Sequence, residues 1–187
     1  MAGLPLEREV KLRFTSRDEA RRAVAALAAT PLAGRRLQAD ALLDTADGAL
    51  GARGVTLRIR SEAGGGRVTF KGPVQPSVMK VREEIETGVE DAGVLFRIFE
   101  ELGLRVWFRY EKYREEYAGR DVVIAIDETP VGVYVELEGG EAAIGEAAAA
   151  LGRTPADYIV ESYRGLFLQH RSRLGLTGPD MVFDTAP

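Results

Sequence analysis

Cysteine is absent from the 187 residues, so neither a disulfide framework nor a thiolate metal site can form. Histidine is nearly absent. The single His170 excludes a histidine-rich zinc centre and makes a serine triad a poor reading. Any bound metal must then be held by carboxylates, which suits hard cations such as Mg²⁺, Mn²⁺ or Ca²⁺. Long apolar runs are also missing. The most apolar stretch, residues 23–33, is broken by Pro31 and is far too short to span a bilayer. Residues 1–13 hold no apolar signal core. A cytoplasmic protein with no membrane partner is expected. The net charge of −4 argues against nucleic acid as a partner recognised through bulk charge. No linker, repeat or low-complexity tract is visible. One domain over residues 1–174 is expected, with a loose Gly/Pro-bearing tail over 175–187.

What is present is a run of short alternating segments. Residues 6–14 alternate strictly and read as a strand. Ser16 and Glu19 form a capping box, which predicts a helix to Ala29 ended by Pro31 and Gly34. Further strands are predicted over 35–45, 55–60, 67–71, 81–87, 105–118, 122–127 and 131–138. Asp47-Gly48 and Gly64-Gly65-Gly66 mark turns between them. Asp91 can cap a helix to Leu102, closed by Gly103. A short helix over 141–151 and a last one from Pro155 to about Arg173 complete the set. Short turns between consecutive strands favour antiparallel pairing.

Sorting each strand by parity separates two faces. In the first, Glu7, Glu9 and Lys11 oppose Leu6, Val10, Leu12 and Phe14, which share their face with Arg8. Arg58 and Arg60 oppose Val55, Leu57 and Ile59, and Lys71 opposes Val68 and Phe70. Arg82, Glu84 and Glu86 oppose Val81 and Ile85, and Glu136 and Glu138 oppose Val133, Val135 and Leu137. Lys112 and Arg114 stand two apart, and Asp127 ends its strand. An open sheet with one solvated face gives the same alternation. Two features favour closure instead. The polar positions are almost purely Glu, Lys and Arg, and the helices need the apolar parity to pack on. A closed α+β fold follows: an eight-stranded antiparallel β-barrel with helices outside and charges inside. A buried charged lining is costly unless each charge is paired or bound. Acids and bases in balance suit a polyanion held by the bases, with divalent cations held by the acids.

Glu7-Arg8-Glu9-Val10-Lys11 resembles the ExExK signature of the CYTH, or triphosphate tunnel metalloenzyme, superfamily. Further segments agree in order: Asp44-Thr45, Leu57-Arg58-Ile59-Arg60, Thr69-Phe70-Lys71-Gly72, Arg82 to Glu86, Lys112-Tyr113-Arg114, Ile126-Asp127-Glu128 and Gly132 to Glu138. The resemblance runs from about residue 6 to 170. It implies an eight-stranded tunnel, dependence on Mg²⁺ or Mn²⁺, and a small triphosphate-containing substrate. Members hydrolyse inorganic triphosphate or thiamine triphosphate, or cyclise ATP as class IV adenylyl cyclases. Carried over by position, Glu7, Glu9, Asp127, Glu136 and Glu138 are the implied metal ligands. Arg58, Arg60, Lys71, Arg82, Lys112 and Arg114 form the implied triphosphate clamp. Glu84 and Glu86 support a metal or orient water, and Lys11 binds phosphate or assists proton transfer. One departure is visible: Leu42 and Leu43 stand where members often carry tyrosine, so a Lys–Tyr partnership there is in doubt.

Other signals have plainer readings. The Gly64–Gly66 run lacks the Lys-Ser/Thr of a P-loop and reads as a hairpin turn. His170 reads as a surface residue, and Arg171 and Arg173 as complements to a helix dipole. Trp107, Phe108 and Tyr110 offer faces on which a base can stack, but strand packing is the plainer reading, and Tyr158 and Tyr163 in the last helix also read as packing. The expected function is a metal-dependent triphosphatase, as a monomer or homodimer. A class IV adenylyl cyclase is the alternative, followed by a non-catalytic polyphosphate or nucleotide binder.

Overall fold

The computed structural model describes residues 5–184. In chain order the elements are β1 (Leu6–Phe14), α1 (Arg17–Ala25), β2 (Thr30–Thr45), α2 (Ala49–Ala52), β3 (Thr56–Glu62), β4 (Gly65–Lys71), β5 (Lys80–Val89), α3 (Ala92–Glu101), β6 (Leu104–Ala118), β7 (Val122–Thr129), β8 (Gly132–Gly139), α4 (Glu141–Ala150) and α5 (Tyr163–His170). The strands close into a barrel in the order β1-β5-β4-β3-β2-β6-β7-β8, every neighbour antiparallel. Closure leaves no free sheet edge and separates an inner from an outer face.

The outer face is the apolar parity. Val10, Leu12 and Phe14 of β1, Ile124 and Ile126 of β7, and Val135 and Leu137 of β8 form one core. Ala20 and Val24 of α1 and Ile144 and Ala148 of α4 pack into it. Fully burying each large member contributes about 1.5–3 kcal/mol. These helices lie outside because the charged parity already occupies the inside. Ser16 accepts from the Glu19 N–H and Asp91 from the Val94 N–H as expected, but the Glu19 carboxylate accepts from the Thr15 N–H at 2.8 Å and not from Ser16, so the capping box is not closed.

Four expectations need correction. Helix α1 stops at Ala25 and not Ala29, because Thr30 already pairs with Ala118 as β2 begins. Strand β2 is therefore five residues longer at its start, with Pro31 placed at a register irregularity where its missing N–H does no harm. Pro155 opens only a single 3₁₀ turn, Pro155–Asp157, and the last helix starts at Tyr163. Ile159 intervenes: its N–H and C=O bond to Lys11 of β1 at 2.9 and 3.0 Å. The tail is not loose in its described part. Met181 is fully buried and exchanges backbone bonds with β6, to Arg109 at 3.0 Å and Glu111 at 2.8 Å. Residues 185–187 lie outside the described region.

These contacts explain the position of α5. The chain is tied to β1 at Ile159 and to β6 at Met181, so the segment between them crosses one end of the barrel. Leu166, Phe167 and Tyr163 of α5 pack there against Leu42, Phe108, Tyr110 and Tyr134, and one end is closed by an apolar plug. Helices α1 and α4 cover the apolar outer face, and α5 stops one end.

Candidate active site

The inner face holds a cavity of about 470 Å³. Every site residue named from the sequence except Asp127 lines it. Asp127 lies just behind the wall and is fully buried. Three donors converge on it. Lys112 Nζ stands 2.9 Å from Oδ2, Arg114 Nε 2.7 Å from Oδ1, and the Tyr163 hydroxyl donates to Oδ2 at 2.5 Å.

From there an alternating row of charges crosses the lumen. Arg114 also contacts Glu136. Glu136 is 3.1 Å from Lys11, Lys11 is 3.0 Å from Glu9, and Lys80 of β5 reaches Glu9 at 2.5 Å. The register produces this: Lys11 sits opposite Glu136 and Glu9 opposite both Glu138 and Lys80. Nearer the open end, Lys71 bridges Glu7 at 2.7 Å and Glu84 at 2.9 Å. Across the lumen, Asp40 of β2 holds Arg60 at 2.9 Å and Arg58 at 3.4 Å. Arg58 also reaches Glu86, 3.3 Å away.

Protonation follows these neighbours. Burial would raise the Glu9 and Glu136 carboxyls, but adjacent cations, Lys11 and Lys80 for one, Arg114 and Lys11 for the other, hold both well below the usual range. Glu7 goes the other way: burial, then the charge of Glu9, push it up to about 8. Burial and Glu136 raise Glu138 as well. Burial, then Arg114, push the Lys112 ammonium down to about 8 against the pull of Asp127. Burial also lowers Arg82, whose nearest carboxylate is Glu7 at 3.8 Å and whose Nε has no hydrogen-bond partner. Arg82 is thus a buried cation short of an anion.

The acids fit a hard cation in kind. Glu7, Glu9, Glu136 and Glu138 stand on adjacent strands β1 and β8, and after burial the neighbouring carboxylate is the next cause that lifts Glu7 and Glu138. Among the described residues no three carboxylates already converge into a cage. Lysine ammoniums stand between them, so cation binding requires these ion pairs to open.

Several lumen residues went unrecognised in the sequence. Lys80 shares parity with Arg82 but lies one residue before the predicted strand start. Asp40 and Gln38 alternate with Leu42 on a strand whose faces were not separated. Gln38 is buried with its Oε1 unpartnered. Tyr163 carries no local signal, because α5 delivers it from outside the sheet. Its ring lies 5.1 Å from the Lys11 ammonium and 5.0 Å from that of Lys112. Leu42 belongs to the plug, so the phenol beside the lysine comes from the helix and not from β2.

A closed barrel with a charged interior and an α-helical stopper defines a tunnel-type fold with its site inside. Residues 5–163 match the CYTH domain family, and the chain belongs to that family. Members of this family are enzymes, adenylyl cyclase-like or triphosphatase, and bind triphosphate substrates. A Methanocaldococcus jannaschii protein named as a candidate adenylate cyclase is 41% identical over 83 residues, 44% of this chain and 47% of that protein. The chain thus spans about half the length of the curated relative it matches. Among solved structures, a Vibrio parahaemolyticus candidate adenylate cyclase superposes with a TM-score of 0.77 at 20% identity, covering 89% of this chain and 99% of that one. A Pyrococcus horikoshii protein gives 0.71 at 26% identity, covering 88% and 99%. A Hippeastrum protein, named as a candidate adenylyl cyclase with a dominant triphosphatase activity, gives 0.54 at 19%, covering 91% and 88%. No helix of the described residues is long and apolar enough to cross a membrane.

Proposed function

We propose that this protein is a divalent-cation-dependent triphosphatase working inside its barrel. The observation that carries this reading is one cavity in which buried bases and a row of buried acids share a wall, with Arg82 lacking a close counter-anion. Arg58, Arg60, Lys71, Arg82, Lys112 and Arg114 take the phosphate oxygens; arginine forks suit them geometrically. Glu7, Glu9, Glu136 and Glu138 would hold Mg²⁺ or Mn²⁺, and Asp127 would join them on releasing one of its donors. When bound, the cation offsets charge on the phosphate oxygens and acidifies a coordinated water. Glu84 and Glu86 orient the attacking water, and Lys11 stands where a proton must be moved. Preorganised charge then supplies most of the barrier lowering. The expected setting is the cytoplasm.

A class IV adenylyl cyclase is the second reading, supported by the names of the relatives. In it the ribose 3′-hydroxyl takes the place of water. The two separate by product. With Mg²⁺ and with Mn²⁺, the enzyme should release orthophosphate from tripolyphosphate, thiamine triphosphate or ATP; cyclic AMP with pyrophosphate from ATP supports the cyclase. Glu136→Gln should lower turnover on the order of 10²–10³-fold while tripolyphosphate binding stays measurable. Survival of full turnover in that variant would remove the metal assignment.

A further inference from the structure

The lumen wall is charged almost throughout, with one exception. Beside the plug, the cavity is lined by Leu42, Gly51, Gly54, Val55, Trp107 and Tyr110. Bare triphosphate gains nothing from such a wall, since its oxygens lose hydration against carbon.

Trp107 reaches the wall through a local irregularity. Leu42 pairs with Phe108 and Leu43 with Val106, so Trp107 is an extra residue in β6. Such a bulge re-aims a side chain. Phe108 points inward into the plug, and strict alternation would send Trp107 outward to the opposite face. Instead it borders the cavity and stays 45% exposed. Arg164, in the first turn of α5, lays its guanidinium over one face of the indole, 4.6 Å from the ring centroid. Gly51 and Gly54 line the same wall beside Val55. Arg58 joins the two regions: it donates to the Tyr110 hydroxyl at 3.5 Å and pairs with Asp40 and Glu86 in the charged lumen.

We infer that this wall is a subsite for the planar, uncharged base of a nucleoside triphosphate whose phosphates extend past Arg58 into the basic lumen. The inference rests on the triphosphate reading above and names its substrate class. Stacking on an aromatic face suits any base. The two guanidinium groups, Arg164 and Arg58, disfavour a cationic heterocycle such as the thiazolium of thiamine triphosphate. Tripolyphosphate leaves the wall empty.

Trp107 is the only tryptophan, which makes the test direct. The intact protein with Mg²⁺ is titrated with ATP, thiamine triphosphate and tripolyphosphate while indole fluorescence is followed. Binding of all three is measured in parallel by calorimetry. ATP should alter the emission and bind more tightly than thiamine triphosphate, and tripolyphosphate should bind without altering it. Trp107→Ala should weaken ATP about tenfold or more, the size of one lost base–aromatic stack, with tripolyphosphate affinity within about twofold. Trp107→Phe should keep most of the ATP affinity, which separates stacking from a folding defect. If tripolyphosphate binds but ATP neither alters the emission nor loses affinity in Trp107→Ala, the base subsite is refuted and the triphosphate reading stands. If none of the three binds, both readings fall.

Discussion

Asp127→Asn tests the deepest contact in the lumen. The change keeps shape and removes one charge beneath Lys112 and Arg114. Breaking a buried ion pair by deleting one partner costs about 3–5 kcal/mol, because the other charge is stranded. Two features place this site at the low end. Arg114 retains Glu136, and Lys112, already down at about 8, can shed its proton. The expected loss is about 3 kcal/mol, a fall of roughly 6–12 °C in Tm for a chain of this size. The pH dependence identifies the cause. Without Asp127 the folded-state pKa of Lys112 drops further below its unfolded value, so the variant's native state binds fewer protons than the wild type's. The excess penalty is fully present at low pH and fades as pH rises through about 8, where both proteins hold a neutral lysine. Urea unfolding of both proteins from pH 6 to 9 measures it. A difference that is flat with pH and below about 1 kcal/mol would refute the stranded-charge argument.

Arg82→Leu removes the cation with the poorest partners. Folding stability should change by no more than about 1 kcal/mol, while tripolyphosphate affinity falls about tenfold; a stability loss above about 3 kcal/mol would show that Arg82 is paired with a strong counter-anion. Glu7, with its folded pKa near 8 against 4.5, binds an extra proton in the native state. That stability is present at low pH and lost as pH rises through about 8, so the cation-free wild type should decline from pH 6 to 9 more steeply than Glu7→Gln. Cation binding at pH 7 should release protons, and less in Glu7→Gln; equal release in calorimetry across several buffers would exclude Glu7 from the site. Mg²⁺ should raise tripolyphosphate affinity and tripolyphosphate should raise Mg²⁺ affinity by the same factor. Independent binding in calorimetry would refute the shared wall.

The barrel was legible because alternation in strands is local. Glu7, Glu9 and Lys11 declare one face within five residues, and the same split recurs in β3, β5 and β8. Closure followed from where helices must pack, and α1 and α4 do cover the apolar face. The barrel ends were not legible. Nothing near Pro155 in the sequence signals that Ile159 will pair with Lys11, or that Met181 will pair beside Tyr110. Both are contacts between distant segments, and they decide that α5 stops the barrel. Tyr163 is consequently invisible to any periodic reading. Trp107 illustrates the opposite failure. Its aromatic neighbours were read correctly as packing, since Phe108 and Tyr110 lie in the plug, but a single bulge separates Trp107 from them.

The plug also gives the lumen a direction. Through most of its length each buried acid touches a base, so the interior is stable without ligand only because it neutralises itself. A triphosphate entering alone would displace carboxylates from the bases and leave those carboxylates unpaired. A cation entering alone would strand ammoniums in the same way. Brought in together, each takes over the partners the other has freed, and no buried charge is left exposed to a low dielectric. The charged exchange can occur only where acids and bases alternate, along Asp127, Arg114, Glu136, Lys11 and Glu9 and again at Glu7, Lys71 and Glu84. The apolar wall beside α5 takes no part in it. On the base-subsite reading, a flat uncharged group rests on the apolar wall and only the polyanionic part of the ligand enters the charge exchange.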